Sequence, residues 1–240
     1  MEAFQQAFRQ IIGWMPALIK ASGNTILLTA TAVTTALALS VFLALGKISR
    51  VHSPSGSRGL NLLRKAASAL VRGISSAYVF FFRGTPLLMQ LFFIYYVLPR
   101  YIPALAFRER FWAAYIAFSL NVAAYLAEII RAAIQSIPKG QLEASHALGF
   151  SYGQTMRMIV IPQAYRRMIP PVCNEFVMVL KDTSLVALIA MTDLTYQTKI
   201  IASNRASSLV YIPAMVVYLV MTAFFTIVFN RLEKRLSAKE

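Results

Sequence analysis

The chain contains uncharged apolar stretches too long for the interior of a small soluble domain. Between Lys20 and Lys47 lie 26 residues without a charge, with an apolar centre at Ile26–Leu45, and Ala206–Asn230 supplies 25 more before Arg231. A helix crossing a hydrocarbon core of roughly 30 Å needs about 20 predominantly apolar residues. Both stretches meet that length. Three further segments qualify once interruptions are allowed: 73–98, broken by Arg83; Phe111–Ala127, extending past Glu128 to Ile130; and 169–192, which carries Glu175, Lys181 and Asp182. The expected fold class is an all-α membrane protein with five spans, at about 25–46, 73–98, 111–131, 169–192 and 207–230. Composition agrees, since only 14% of the 240 residues are charged and 58% are hydrophobic, against about 25% charged in soluble domains.

The first 20 residues lack the basic start and small-residue cleavage site of a signal peptide. Phe4, Phe8, Ile11, Ile12, Met15, Leu18 and Ile19 share one helical face opposite Gln5, Arg9 and Gln10. Residues 1–20 are read either as an amphipathic helix lying along the membrane interface, bent at Pro16, or as a short packing helix.

Excess basic charge, 24 Lys and Arg against 9 Asp and Glu, suits nucleic acid, an anionic surface or the anchoring of spans. Position decides among these. Lys47, Arg50, Arg58, Arg64, Lys65 and Arg72 fall in one connection, Arg131, Lys139, Arg157, Arg166 and Arg167 in a second, and Arg231, Lys234, Arg235 and Lys239 in the tail. These fifteen share one side of a five-span topology. Arg9, Lys20, Arg100, Arg108, Arg110, Lys199 and Arg205 share the other. Basic residues are retained in the cytoplasm, so the expected orientation is N-terminus outside, C-terminus inside. No basic stripe with interleaved aromatics appears, which argues against nucleic acid as a partner. The lipid bilayer is the expected surroundings. A lone cysteine, Cys173, and two histidines, His52 and His146, leave no set for a disulfide or a metal site.

The connection 135–168 has its own helical grammar. Pro138 can open a short helix through Leu142–Leu148 that stops at Gly149. Ser151 stands three residues before Gln154, the spacing of a capping box, for a second short helix through Met156–Val160 that ends before Pro162. The two form an elbow at the basic end, with Phe150, Met156 and Met158 available for contact. It either caps the bundle or docks on a soluble partner.

Glu143-Ala144-Ser145, three residues, Gly149, nine residues, then Ile159-Val160-Ile161-Pro162 resembles the EAA signature of ABC importer permeases. Ser145 replaces an alanine and Ile161 a leucine of that pattern. Phe82-Arg83-Gly84-Thr85-Pro86, Ala124-Tyr125-Leu126-Ala127-Glu128, Ser136-Ile137-Pro138-Lys139-Gly140 and Lys181-Asp182-Thr183-Ser184-Leu185 are similar to the polar amino-acid branch of that family. The resemblance covers about residues 20–235. It implies a type I importer permease domain over 21–235 in a bacterial inner membrane, and a coupling role for Glu143, Ala144, Ser145, Gly149, Phe150, Ile159 and Pro162. It also implies two ATPase subunits under the elbows, a second permease subunit, and an extracytoplasmic binding protein that delivers the amino acid.

The remaining chemistry is that of a pathway, not of an enzyme. No phosphate-binding loop exists; Gly46-Lys47-Ile48-Ser49 lacks the upstream glycine, so ATP and Mg are expected on the partner ATPase and no cofactor on this chain. Ionisable groups inside spans cost roughly 2.5–3.5 kcal/mol each on insertion scales and face the bundle interior or a cavity. Arg83 precedes the helix-breaking Gly84 and Pro86 and either pairs structurally or lines a pathway. Glu128 and Arg131, at i and i+3, form an expected ion pair. In the fourth span Asn174, Met178, Lys181 and Asp182 gather on one face, with Glu175 on the adjoining strip and Thr183 and Ser184 just beyond. With Asn121 across the cavity, this strip offers donors for a carboxylate and acceptors for an ammonium. Glu175 leans towards a cationic side chain; glutamine, cystine, glutamate or opines remain alternatives. An ATP-independent transporter or channel, or a non-transporting scaffold, is the alternative of another class.

Overall fold

The computed structural model describes residues 1–48 and 58–237, without the side chains of 2–4, 58–61 and 237. Arg50, His52 and Lys239, and the side chains of Phe4 and Arg58, therefore lie outside the described residues. The described chain is helical almost throughout. α1 runs Glu2–Ile48, α2 Arg58–Gly84, α3 Leu87–Phe92, α4 Leu98–Tyr101, α5 Arg110–Gln135, α6 Lys139–Ala147, α7 Tyr152–Thr155, α8 Ile161–Asp182, α9 Leu194–Arg205 and α10 Tyr211–Ser237.

Among the described residues, three helical stretches are long and apolar enough to cross a membrane: Gln5–Ile48, Arg110–Gln135 and Ser208–Leu236. A fourth forms if Leu62–Gly84 and Leu87–Tyr101, which meet at 103°, count as one broken span. The segment expected as a span at 169–192 divides between α8 and a 3-10 turn, Thr183–Ile189. α8 carries Arg166, Arg167, Glu175, Lys181 and Asp182, which make it a polar helix held among apolar ones.

The expected boundary at residue 20 is not a helix boundary. α1 is one helix of 47 residues with Pro16 inside it, about 70 Å at 1.5 Å per residue. Leu18 is fully buried against Leu180, Leu194 and Val210. Burial of that side chain against three neighbouring elements holds the segment in register with the bundle.

The main core joins α1 to α5. Leu28, Ala32, Val33 and Ala36 pack on Ala113, Ala117, Phe118 and Val122, with Leu91 and Val179 closing the sides. Alanines at this seam let two backbones approach where lipid supplies no hydrophobic drive. Outside, Phe80, Met215, Leu219 and Phe224 are exposed, as lipid-facing residues should be.

The elbow follows its local signals, with one correction. α6 ends at Gly149, whose φ of 83° is a left-handed conformation that costs other residues strain. Phe150 N–H donates to the Ser145 carbonyl at 3.0 Å, closing the helix end. The Ser151–Gln154 capping box is present. Ser145 is buried and its hydroxyl lies 2.9 Å from that of Thr155, so the serine at this alanine position ties the two elbow helices together. The second elbow helix, however, does not end before Pro162. α7 passes through a π-helical turn, Met156–Val160, directly into α8. The wide turn absorbs the proline, which has no N–H to give and needs room at the preceding turn.

Glu128 ties the end of α1 and the broken end of α2 to α5. Arg131 donates to it at 2.6 and 2.9 Å, Lys47 makes a direct ion pair, and Arg83 lies 3.9 Å away. The carboxylate side chain is only 15% exposed. Glu128→Gln leaves Lys47, Arg83 and Arg131 crowded without a counter-charge, and should lower stability by about 1–3 kcal/mol. A lower thermal midpoint in detergent than that of Glu128→Asp checks this; equal midpoints would show the cluster to be energetically idle.

Candidate functional site

The site forms where the second span breaks. Gly84 and Pro86 end α2, and α3 leaves at a steep angle, which frees backbone carbonyls at the level of the middle of α5. Gln90 Nε2 donates to the carbonyls of Phe82 (3.0 Å) and Thr85 (3.1 Å) and to Thr85 Oγ1 (2.8 Å). Asn121 Nδ2 donates to the same Phe82 carbonyl at 3.0 Å and to Gln90 Oε1 at 2.9 Å. Both amides are buried. In hydrocarbon an unpaired carbonyl is costly, so this small network is what makes the break tolerable.

Beside it lies a cavity of about 380 Å³, within the range of small-molecule sites. The break contributes Arg83, Gly84, Thr85, Pro86 and Leu87; α5 contributes Asn121, Val122 and Tyr125; α8 contributes Glu175, Met178, Val179 and Asp182. Arg83 sits over the Tyr125 ring, 5.3 Å from its centroid, a cation–π geometry that fixes the guanidinium at the wall. The lining carries one cation and two carboxylates.

Of the residues singled out by sequence, Arg83, Asn121, Glu175, Met178 and Asp182 meet in this cavity. Asn174 and Lys181 do not line it; both are exposed on α8. Ser184 is half-buried beyond the helix end. Thr183 is buried and its hydroxyl donates to the Leu180 carbonyl at 2.7 Å, so its side chain serves the helix terminus. Asn121 lines the cavity, yet its NH₂ group is committed to the break. Tyr125, which the sequence marked only as part of the Ala124–Glu128 stretch, and Gln90 were not singled out as site residues from sequence. Tyr125, one helical turn from Asn121, carried the signal of a shared face, whereas Gln90 was a single amide in an apolar run.

The elbow is the second candidate site. Glu143, Ala144, His146 and Leu148 are exposed on it, Leu148 by 77%. Phe150 and Ile159 are half-buried, and Pro162 is exposed at the start of α8. Gln163 Nε2 bonds Gln141 Oε1 at 2.7 Å, and Arg167 Nη1 bonds the Ser136 carbonyl at 2.6 Å, which fastens the start of the elbow to α8. Phe176 contacts Phe225 and Phe229 while Thr195 bonds Tyr218; α8 and α10 are thus antiparallel, and the elbow and the end of α10 lie at one end of the bundle. No group of His, Cys, Asp and Glu suited to a metal ion occurs among the described residues.

Comparison with known proteins agrees with this architecture. The chain is 40% identical over 177 residues to the L-cystine transport system permease protein TcyB of Bacillus subtilis, covering 73% of this chain and 74% of that one. It is 37% identical over 171 residues to the arginine transport system permease protein ArtQ of Bacillus subtilis, covering 70% and 76%. A crystal structure of an amino acid ABC transporter with histidines superposes with a TM-score of 0.81 at 34% identity, over 95% of this chain and 98% of that one. Residues 65–238 match the binding-protein-dependent transport system inner membrane components, and the chain belongs to that family, with the type I ABC importer permease fold.

Proposed function

We propose that this chain is the translocation subunit of an ATP-driven importer and that its cavity passes polar, specifically basic, amino acids. The observation that carries the substrate class is the charge of the lining: Arg83 against Glu175 and Asp182. A basic amino acid presents one carboxylate and two cations, the inverse set. Arg83 takes the carboxylate, and Glu175 and Asp182 divide the α-ammonium and the side-chain cation. A neutral amino acid leaves one carboxylate uncompensated in a low-dielectric cavity, which is costly. The relatives are named for cystine and for arginine, so names alone do not choose between the readings; the lining charge favours the second.

ATP and Mg belong, on this proposal, to two ATPase subunits that dock on the exposed elbow residues Glu143, Ala144 and Leu148. A second permease subunit, identical or paralogous, completes the route and covers the exposed strip at Asn174 and Lys181. An extracytoplasmic binding protein delivers the substrate at the opposite end, with the N-terminus outside and the C-terminus in the cytoplasm of the bacterium. An ATP-independent carrier has no use for an elbow bonded at its start to the helix that lines the cavity and continuous with that helix at its end, which supports the ATP-driven reading.

Two experiments test this on the assembled complex in proteoliposomes. Glu175→Gln and Asp182→Asn should each weaken competition by arginine or lysine for retained substrate by about 10- to 100-fold, the worth of one charge-assisted hydrogen bond, while competition by glutamine holds or improves. Equal loss for both kinds of amino acid would sink the charge-matching reading. Gly149→Val places a β-branched residue at a φ of 83°, costing about 1–2 kcal/mol locally. Uptake should fall while ATP hydrolysis and membrane insertion persist. Normal uptake would remove the elbow from the mechanism.

A further inference from the structure

The end of the bundle opposite the elbow carries a recess of about 600 Å³, and three walls lead from it to the Arg83 cavity. On α5, Phe111 lines the recess, and Asn121, Val122 and Tyr125 line the cavity. Ala114 and Phe118 lie between them on the same helical face. On α3 and the π-helical turn that follows it, Leu87 lines the cavity and Tyr95 the recess, with Leu91 and Ile94 between. Beyond α8, Asp182 lines the cavity, and Ala190 and Met191 the recess, with Val186 and Ile189 between. All of these intervening residues are buried, and they belong to one apolar cluster. An apolar layer thus separates two polar spaces, and a charged amino acid cannot cross it while the layer stays packed.

One side chain joins the three walls at the recess. Arg110, the first residue of α5, donates from Nε to the Tyr95 hydroxyl at 3.2 Å and from Nη1 to the Ala190 carbonyl at 3.1 Å. Tyr95 belongs to the π-helical turn Phe93–Val97, and Ala190 ends the 3-10 turn Thr183–Ile189. Ala190 itself is held in an uncommon shape. Its φ of 55° is left-handed, a conformation that residues other than glycine seldom take, and Met191 N–H closes the turn on the Val186 carbonyl at 3.2 Å. Asn24 of α1 secures the same turn from another side, donating to the Thr192 carbonyl at 2.8 Å. Below these bonds the walls meet through apolar contact, which has no preferred direction. We propose that Arg110 is a positioning residue for transport: its two bonds clasp the ends of the three walls and keep the apolar layer shut over the cavity. Both acceptors are neutral and the guanidinium is exposed, so the clasp opens without breaking an ion pair. The clasp rests on the cavity's place in the transport route, as proposed above, and not on which amino acid is carried.

The test uses the assembled complex in membrane vesicles without ATP. Cys173→Ser and Met178→Cys together leave this chain one thiol, in the cavity. A membrane-impermeant charged maleimide is added to right-side-out or inside-out vesicles, which expose one end of the bundle at a time, and modification of this chain is followed by intact mass. Arg110→Gln should speed labelling from the recess end by about 10- to 30-fold, the net worth of two hydrogen bonds, and leave labelling from the elbow end unchanged. Tyr95→Phe, which removes one bond and keeps the ring, should give about a threefold to tenfold gain, and it decides the matter where Arg110→Gln folds poorly. Arg108→Gln, in the same recess but outside the clasp, should label at the parent rate. A gain confined to inside-out vesicles would reverse the proposed orientation and leave the clasp in place. The clasp is refuted if neither Arg110→Gln nor Tyr95→Phe changes the rate, if Arg108→Gln gains as much, or if both ends gain equally, as a general loosening of the fold would give. The reagent carries no amino-acid chemistry, so failure of the charge-matching reading leaves this result standing.

Discussion

A chain crossing hydrocarbon must satisfy its backbone polar groups from within, and the break after Phe82 is where that constraint shapes the molecule. Gly84 and Pro86 release carbonyls that an unbroken helix would have used. Two buried amides, Gln90 and Asn121, gather them again through the shared Phe82 carbonyl. The bend of 103° depends on those bonds, and the cavity depends on the bend. A straight second span would carry Arg83 past Tyr125, and α8 would face packed side chains where it now faces space.

Charge is handled by the same economy of position. Glu128 sits at the level where three helices bring cations together, and it takes Lys47 and Arg131 directly while leaving Arg83 at 3.9 Å. At that distance Arg83 is restrained without being consumed. The guanidinium therefore remains at the cavity wall, between Glu128 on one side and Glu175 and Asp182 on the other. The near-neutral result lets several ionisable groups stay at membrane depth, where single charges are expelled or paired.

Features governed by local pattern were legible in the sequence. The uncharged runs matched the three long apolar helices, and Ser151–Gln154 and Gly149 matched the elbow's internal caps, because each depends on residues within a few positions. The Glu128–Arg131 pair was legible for the same reason. Lys47 as a partner of Glu128 was not, since 81 residues separate them and only the packing of α1 on α5 brings them together. Pro162 read as a stop because a proline disfavours a regular helix; a π turn, which no local pattern announces, carries the chain through. Asn121 lines the cavity, but its amide donors go to the Phe82 carbonyl and Gln90 of the broken helix pair, which sequence separation hid. Thr183 likewise spends its hydroxyl on its own helix end.

The π turn has a mechanical consequence for the proposed coupling. Because α7 runs into α8 without a joint, the second elbow helix capped at Ser151 and the cavity residues Glu175, Met178 and Asp182 belong to one continuous helical run. The opposite wall of the cavity is of the other kind, a broken helix held by a few hydrogen bonds around Gln90. A push on the elbow therefore moves the carboxylates of α8 as a body, while Arg83 stays with α2 and the Glu128 cluster. On the proposed reading, such a displacement changes the separation between Arg83 and the α8 carboxylates, and with it the affinity for a substrate held between them, without requiring any side chain in the cavity to change its chemistry. Stiffness on one wall and a hydrogen-bonded break on the other are the features by which the proposed coupling would carry a movement of the elbow to the cavity.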